Sequence, residues 1–291
     1  MNPPLTTPTS ADFARSGETT PRHAGSAAPE EIPAIEVLSA EQTYPNGTRA
    51  LEPVDMKIGE GEFITLLGPS GCGKSTLLKM IAGLLSPSDG RLLLWRQPVD
   101  KLQSSGKRLA FVFQSPTLMP WASVQSNVRL PLDLAGVPRT DADKRVAGAL
   151  EMVGLSGFAD ALPRALSGGM QMRVSIARAL ATEPDLLLMD EPFGALDEIT
   201  RHKLDSDLLE LWRKRKLTVV FVTHSIHEAV FLSTKVVVMA ARPGRVVETF
   251  DIEEPFPRTA DFMVSTRFSQ YAKTLQDSLL HASAIHEKAA S

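Results

Sequence analysis

Cysteine is nearly absent from this 291-residue chain: it occurs once, at Cys72. No intrachain disulfide can form, and the thiols supply no metal framework. A reducing, intracellular setting is expected. No apolar run approaches the roughly eighteen residues that span a bilayer. The N-terminus lacks the charged-then-apolar layout of a signal peptide. The expectation is a soluble protein, or one held at a membrane by another protein. Charge of one sign is not in excess either. The net charge is −3 and the isoelectric point is near 6.1, so no general nucleic-acid-binding surface is indicated. The one basic cluster, Arg213-Lys214-Arg215-Lys216, reads as cations offsetting the dipole at a helix C-terminus. There is no internal repeat. Residues 1–33 are rich in Pro, Ser, Thr, Ala and Gly and poor in large apolar residues, the composition of a disordered leader.

What the chain does have is 43% hydrophobic and 22% charged residues, an ordinary globular balance. The stretch that organises it is Glu62 to Thr76. Phe63 to Leu67 is an almost continuous apolar run, as in a central parallel strand. Gly68 to Ser75 then fits the phosphate-binding pattern G-x-x-x-x-G-K-[ST]. Gly68, Gly71 and Gly73 let the backbone curl so that N–H groups point at a polyphosphate. The helix that follows aims its positive dipole end at the same anion. Lys74 supplies a full charge, and the Ser75 hydroxyl can ligate Mg²⁺. The competing reading is a glycine-rich turn with a solvated lysine. It is disfavoured by the apolar strand before the loop and by Leu77, Leu78, Met80, Ile81, Leu84 and Leu85 at helical spacing after it, up to Pro87. Cys72 is a small filler within this loop.

The rest of the chain alternates strand and helix patterns. Ile35–Leu38 and Ala50–Ile58 read as strands around a Tyr44-Pro45-Asn46-Gly47 turn, and 90–95 and 109–113 as further strands. From 124 to 166 the pattern is helical, with amphipathic stretches over 141–154 and from Phe158 onwards, an insert within an α/β chain. Beyond it come a helix over 171–181, a buried strand over 185–189, a helix over 198–216, a strand over 218–223, a helix from Ser225, and strands over 235–240 and 245–250. Val264, Phe268, Tyr271, Leu275 and Leu279 form the stripe of a C-terminal amphipathic helix that packs on the body.

Four polar groups end separate apolar strands: the phosphate loop, Gln114, Asp190-Glu191 and His224. Strand C-terminal ends are where ligands bind in open α/β sheets. Asp190 can hold Mg²⁺ through water, and Glu191 can orient or deprotonate an attacking water. Adjacent carboxylates disfavour each other's charged form, so metal and nucleotide stabilise the pair. Ser167-Gly168-Gly169 precedes a helix and reads as an N-cap or as a second anion site. It follows the helical insert, which suggests that it completes a site on another chain.

This set resembles the ATP-binding cassette ATPases, the motor subunits of ABC transporters. Gly68–Thr76 is similar to the Walker A loop of that family, Gln114 to its Q-loop glutamine, and Leu166-Ser167-Gly168-Gly169-Met170 to its signature motif. Leu186–Glu191 resembles Walker B, Gly194-Ala195-Leu196-Asp197 the D-loop, and His224 the switch histidine. Leu118-Met119-Pro120-Trp121, Pro192–Glu198 and Pro257-Arg258 resemble the nitrate, sulfonate, taurine and bicarbonate importer group. Ser225, where the family commonly has an acidic residue, and Gln171-Met172 depart from the pattern, outside the catalytic set.

The resemblance implies an α/β P-loop cassette over residues 34–258, with a small antiparallel β subdomain, a helical insert over about 115–170 and a helical extension over 259–291. It implies a head-to-tail homodimer with ATP and Mg²⁺ at the interface. Gly68, Ser70, Gly71, Cys72, Gly73, Lys74, Ser75 and Thr76 would hold the phosphates, and Tyr44 would stack on adenine. Ser167, Gly168 and Gly169 would reach the γ-phosphate from the partner. Glu191 would be the general base and His224 the γ-phosphate sensor. Lys74 and Gln114 would complete the catalytic set, and Ser75, Gln114 and Asp190 the metal set. Asp197 would cross the interface. It further implies integral membrane permease subunits, contacted through the loop around Pro120-Trp121, a separate solute-binding protein, no nucleic acid, and a peripheral location on the cytoplasmic face of the inner membrane. The solute would be a small anion such as a sulfonate, taurine or nitrate. A soluble cassette ATPase serving DNA or ribosomes is the main alternative, and the single cassette without long insertions argues against it. A P-loop kinase or GTPase would not need Ser167-Gly168-Gly169, and N-K-x-D is missing.

Overall fold

A computed structural model describes residues 32–194 and 196–290. All of the expected leader except Ile32 and Pro33 therefore lies outside the described residues, as does Ala195. Two sheets organise the fold. The strands are β1 (Ile35–Thr43), β2 (Arg49–Ile58), β3 (Phe63–Leu67), β4 (Asp89–Leu94), β5 (Gln97–Pro98), β6 (Leu109–Val112), β7 (Leu186–Asp190), β8 (Thr218–Thr223), β9 (Lys235–Ala240) and β10 (Arg245–Asp251). The helices are α1 (Lys74–Ile81), α2 (Val124–Leu134), α3 (Arg139–Met152), α4 (Gly168–Ala181), α5 (Glu198–Arg215), α6 (Ile226–Leu232), α7 (Ala260–Met263) and α8 (Thr266–Ala290).

The main sheet runs β10-β9-β3-β8-β7-β6. Its five central and far strands are parallel, and only β10 pairs antiparallel, with β9. The smaller sheet, β2-β1-β4-β5, is antiparallel. The buried parallel strands carry apolar residues on both faces, and the period of two divides them. Phe63 and Leu67 of β3 face one core with Leu187, Met189, Val219 and Phe221, against α4, α5 and α6. Ile64 and Leu66 face the other with Leu186, Leu188, Val220 and Val222, against α1 and the small sheet. The parallel register places the ends of β3, β7 and β8 side by side, with Leu67 opposite Thr223 and Asp190 opposite Val222.

Helices α2, α3 and α4 pack on one another outside this sheet. Among the described residues no helix is long and apolar enough to cross a membrane.

Several expected bounds shift. Helix α1 ends at Ile81, not near Pro87. Gly83 at φ 70° and the bonds Leu84 N–H to Lys79 O (2.9 Å) and Gly83 N–H to Met80 O (3.0 Å) close a Schellman turn. Leu84 is accordingly 58% exposed. The stretch from Phe158 forms turns and a short 3₁₀ segment, Pro163–Ala165, rather than an amphipathic helix. Pro163 has no N–H to donate, and too few residues remain before Ser167. Val264 does not join the C-terminal stripe: it caps α7 and is 86% exposed, while Phe268 and Leu275 are buried as expected. The strand β5 and the 3₁₀ turn Val99–Ser105 carry no apolar period and were not expected.

Candidate active site

The phosphate loop joins β3 to α1. Gly73, at φ 86°, is the residue before the helix and takes a backbone that a side chain resists. Gly68 is required for another reason: a Cβ there would lie 2.5 Å from Met239 O and 2.8 Å from Cys72 Sγ. Lys74 is buried, and its ammonium donates to Gly68 O (2.8 Å) and Pro69 O (3.0 Å). Its charge is thus already held at the loop. Cys72 is fully buried, and burial pushes its thiol up from the ordinary range; it packs inside the loop as a filler. Tyr44, on the turn after β1, sets its hydroxyl 3.3 Å from Thr76 Oγ1, with its ring partly exposed at the rim of the loop.

The acidic pair stands opposite. Asp190 ends β7 and accepts from Ser75 Oγ at 2.8 Å. Burial pushes its carboxyl up, the Glu191 charge adds to this, and the Ser75 bond opposes it. A hydroxyl and a carboxylate at hydrogen-bond distance are hard oxygen donors of the kind Mg²⁺ uses beside a polyphosphate. Among the described residues no cluster of three or more His, Cys, Asp or Glu could cage a metal.

Glu191 sits at φ 45°, a left-handed conformation that costs energy for a non-glycine residue. Its N–H bonds Val222 O at 3.0 Å, closing the last pair of the β7–β8 ladder, Asp190 with Val222. This bend sends its carboxylate between two neighbours. Gln114 Nε2 donates to Glu191 Oε2 at 3.5 Å, and His224 Nδ1 lies 3.4 Å from the same oxygen. Three strand-end residues, far apart in sequence, thus converge on one point beside the phosphate loop.

Ser167 caps α4, accepting from Met170 N–H at 3.3 Å. It is exposed with Gly168, and among the described residues no hydrogen bond joins 167–169 to the phosphate loop. Asp197 caps α5 by accepting from Thr200 N–H at 2.9 Å, and that bond holds its carboxyl below the usual range. Two positioning groups were not evident in the sequence. Arg178 on α4 donates to Pro116 O (3.0 Å) and Thr117 O (2.8 Å), which fixes the loop after Gln114. Buried Asn127 donates to Met119 O, Ala122 O and Ser123 O and leaves Trp121 78% exposed. An Asn on the apolar face of α2 was the available signal.

A phosphate loop facing a strand-end Ser/Asp pair and an acid–amide–imidazole cluster defines a P-loop nucleotide hydrolase. Residues 51–194 match the family model described as ABC transporter. An uncharacterised ABC transporter ATP-binding protein of Methanocaldococcus jannaschii is 48% identical over 232 residues, which cover 79% of this chain and 84% of that protein. The taurine import ATP-binding protein TauB of Rhizobium johnstonii is 47% identical over 243 residues, covering 82% of this chain and 92% of that one. A solved dimeric ATP-binding cassette in a post-hydrolysis state with ADP and Pi superposes with a TM-score of 0.70 at 34% identity, covering 76% of this chain and all of that one. The chain belongs to the ATP-binding cassette family of transporter ATPases.

Proposed function

We propose that this ATPase is the motor subunit of an importer, working as a head-to-tail homodimer that couples ATP binding and hydrolysis to uptake of a small anion through separate permease subunits. The observation that carries the reading is the convergence of Gln114 and His224 on one oxygen of Glu191, beside the Ser75–Asp190 pair. In this reading Gly68 to Thr76 hold the phosphates of ATP and Tyr44 stacks on its adenine. Ser75, Asp190 and Gln114 hold Mg²⁺, which neutralises phosphate charge when bound. Glu191 accepts the proton of the attacking water. Gln114 orients that water, and His224 holds the γ-phosphate. Lys74 turns from the loop carbonyls to the outer phosphates. Ser167 and Gly168, both exposed, and Gly169 beside them serve the partner's nucleotide, and Asp197 crosses the interface. ATP closes the dimer because it adds contacts that exist only in the closed state.

Exposed Trp121, on the loop that follows Gln114, supports a docking place for a permease helix. In this reading the subunit works at the cytoplasmic face of the inner membrane, with a solute-binding protein acting through the permease and no nucleic acid involved. The taurine-import relative supports a sulfonate-type solute.

Glu191→Gln tests the base. The variant should bind ATP with unchanged affinity and hydrolyse it at least about a hundredfold more slowly, the scale of a lost general base. Hydrolysis at the wild-type rate refutes the assignment.

A further inference from the structure

We propose that Arg201 and Glu228 are positioning residues, a clamp within one chain that ties the backbone at Leu196, just before α5, to the strand end bearing His224. The inference rests on the proposed roles of Glu191 and His224. Glu228 lies on α6, four residues after the histidine, and is only 4% exposed. Its Oε2 accepts from the Thr223 hydroxyl. That hydroxyl also accepts from Ser225 N–H at 3.0 Å, and Ser225 Oγ accepts from Glu228 N–H at 3.3 Å. Residues on either side of His224 are thus closed into one hydrogen-bonded ring. The other oxygen of Glu228 lies 3.6 Å from Arg201 Nε. Arg201, on α5, donates through Nη2 to Leu196 O at 3.0 Å. One carboxylate and one guanidinium therefore bridge the two segments that flank Glu191.

This arrangement is a poor choice for stability alone. Glu228 is buried near Asp205, which is 2% exposed and whose Oδ1 has no hydrogen-bond partner among the described residues. Burial disfavours the charged form of both carboxyls, with Arg201 facing each, and apolar residues of similar volume would hold the two helices together at least as well. What the pair adds is direction. A shift of Leu196 moves Arg201, and Arg201 pulls on the carboxylate that sets His224. Movement at Leu196, beside the proposed dimer-facing Asp197, reaches the γ-phosphate sensor without passing through the nucleotide.

The test is steady-state ATP hydrolysis by the full-length chain carrying Glu228→Gln, Arg201→Lys or both, with Glu191→Gln as reference and thermal melting in parallel. Glutamine keeps the acceptor for Thr223 and removes the charge that holds Arg201. Each single variant should lower kcat about tenfold, the scale of a small misplacement of a catalytic group. KM for ATP should stay within about twofold, and the melting curves should show each variant fully folded at the assay temperature. The double variant should be no slower than either single one, as expected of residues acting as a unit. A kcat for Glu228→Gln within about twofold of wild type, multiplicative losses, or a kcat loss accounted for by unfolding at the assay temperature overturns the clamp. An inactive Glu191→Gln beside a fully active Glu228→Gln refutes the clamp alone; a fully active Glu191→Gln refutes the site reading on which it stands.

Discussion

Asp205 shows how far a single residue can depart from its solution chemistry. Burial first, and the nearby Glu228 second, raise its pKa from the ordinary 3.8 to about 8, and Arg201 opposes this only in part. The consequence for stability has a definite sign. Between those two values the native state keeps a proton that the unfolded chain has released. Stability therefore falls as pH rises from about 4 to about 8, and this contribution is level above that. Asp205→Asn holds the side chain neutral at every pH. Its melting temperature should gain on that of the wild type as pH is raised from about 5 to about 8.5, as linkage requires. Parallel melting curves at both pH values would show that Asp205 ionises normally. Glu228, also pushed up by burial, faces Arg201, His224 and Glu191, so it contributes a slope of the same sign and keeps it in the variant.

At the scale of elements, the C-terminal end of α6 is held by one side chain. Arg258 donates to Val230 O (2.9 Å), Phe231 O (3.0 Å) and Ser233 O (2.8 Å) through Nη1, and to Ile252 O (3.1 Å) and Glu254 O (3.2 Å) through Nη2. Its guanidinium also lies 4.1 Å from the centre of the Phe256 ring. The first three carbonyls are among the orphan acceptors that a helix end leaves, and the other two lie just after β10. The cost of holding a cation there shows in a pKa lowered by burial to about 10. Arg258→Met keeps the apolar stem and strands the carbonyls. It should destabilise the chain by roughly 3–5 kcal/mol, the range for breaking a buried charged network, read as a lower midpoint in urea unfolding. A midpoint unchanged from wild type would mean that water replaces the guanidinium. The Pro257-Arg258 pair was legible only as a likeness to one importer group, since no local pattern announces a residue that caps a helix twenty-five positions upstream.

For the whole molecule, the prediction concerns assembly. If residues 167–169 serve a partner's nucleotide, the Glu191→Gln chain, which should retain ATP, accumulates as a dimer when ATP and Mg²⁺ are added. Light scattering after size exclusion reads this directly: about twice the monomer mass with ATP, and monomer with ADP, as expected of a ligand that binds the closed state better. A monomer under both conditions removes the proposed sandwich and leaves the ATPase family standing.

Residues close in sequence were legible in advance. Gly68-x-x-x-x-Gly73-Lys74-Ser75 announces its chemistry because the strand end, loop and helix start that build a phosphate cradle are contiguous. The apolar runs of β3, β7 and β8 declared central strands for the same reason: burial on both faces leaves little choice of side chain. The polar residues ending those runs could therefore be assigned to one rim. What the sequence could not contain was the distance across that rim. That Gln114 and His224 meet at the same oxygen of Glu191 depends on the parallel register of β6, β7 and β8 and on the left-handed bend at Glu191. Arg201, Glu228 and Asp205 carry no motif, and they meet only where α5 packs on α6, with Glu228 and Asp205 buried and Arg201 half-buried beside them. Local pattern determined the elements and the phosphate chemistry, because hydrogen bonding and burial act residue by residue. Packing alone decided which charges share a low-dielectric pocket, because that energy depends on separations that only the closed fold defines.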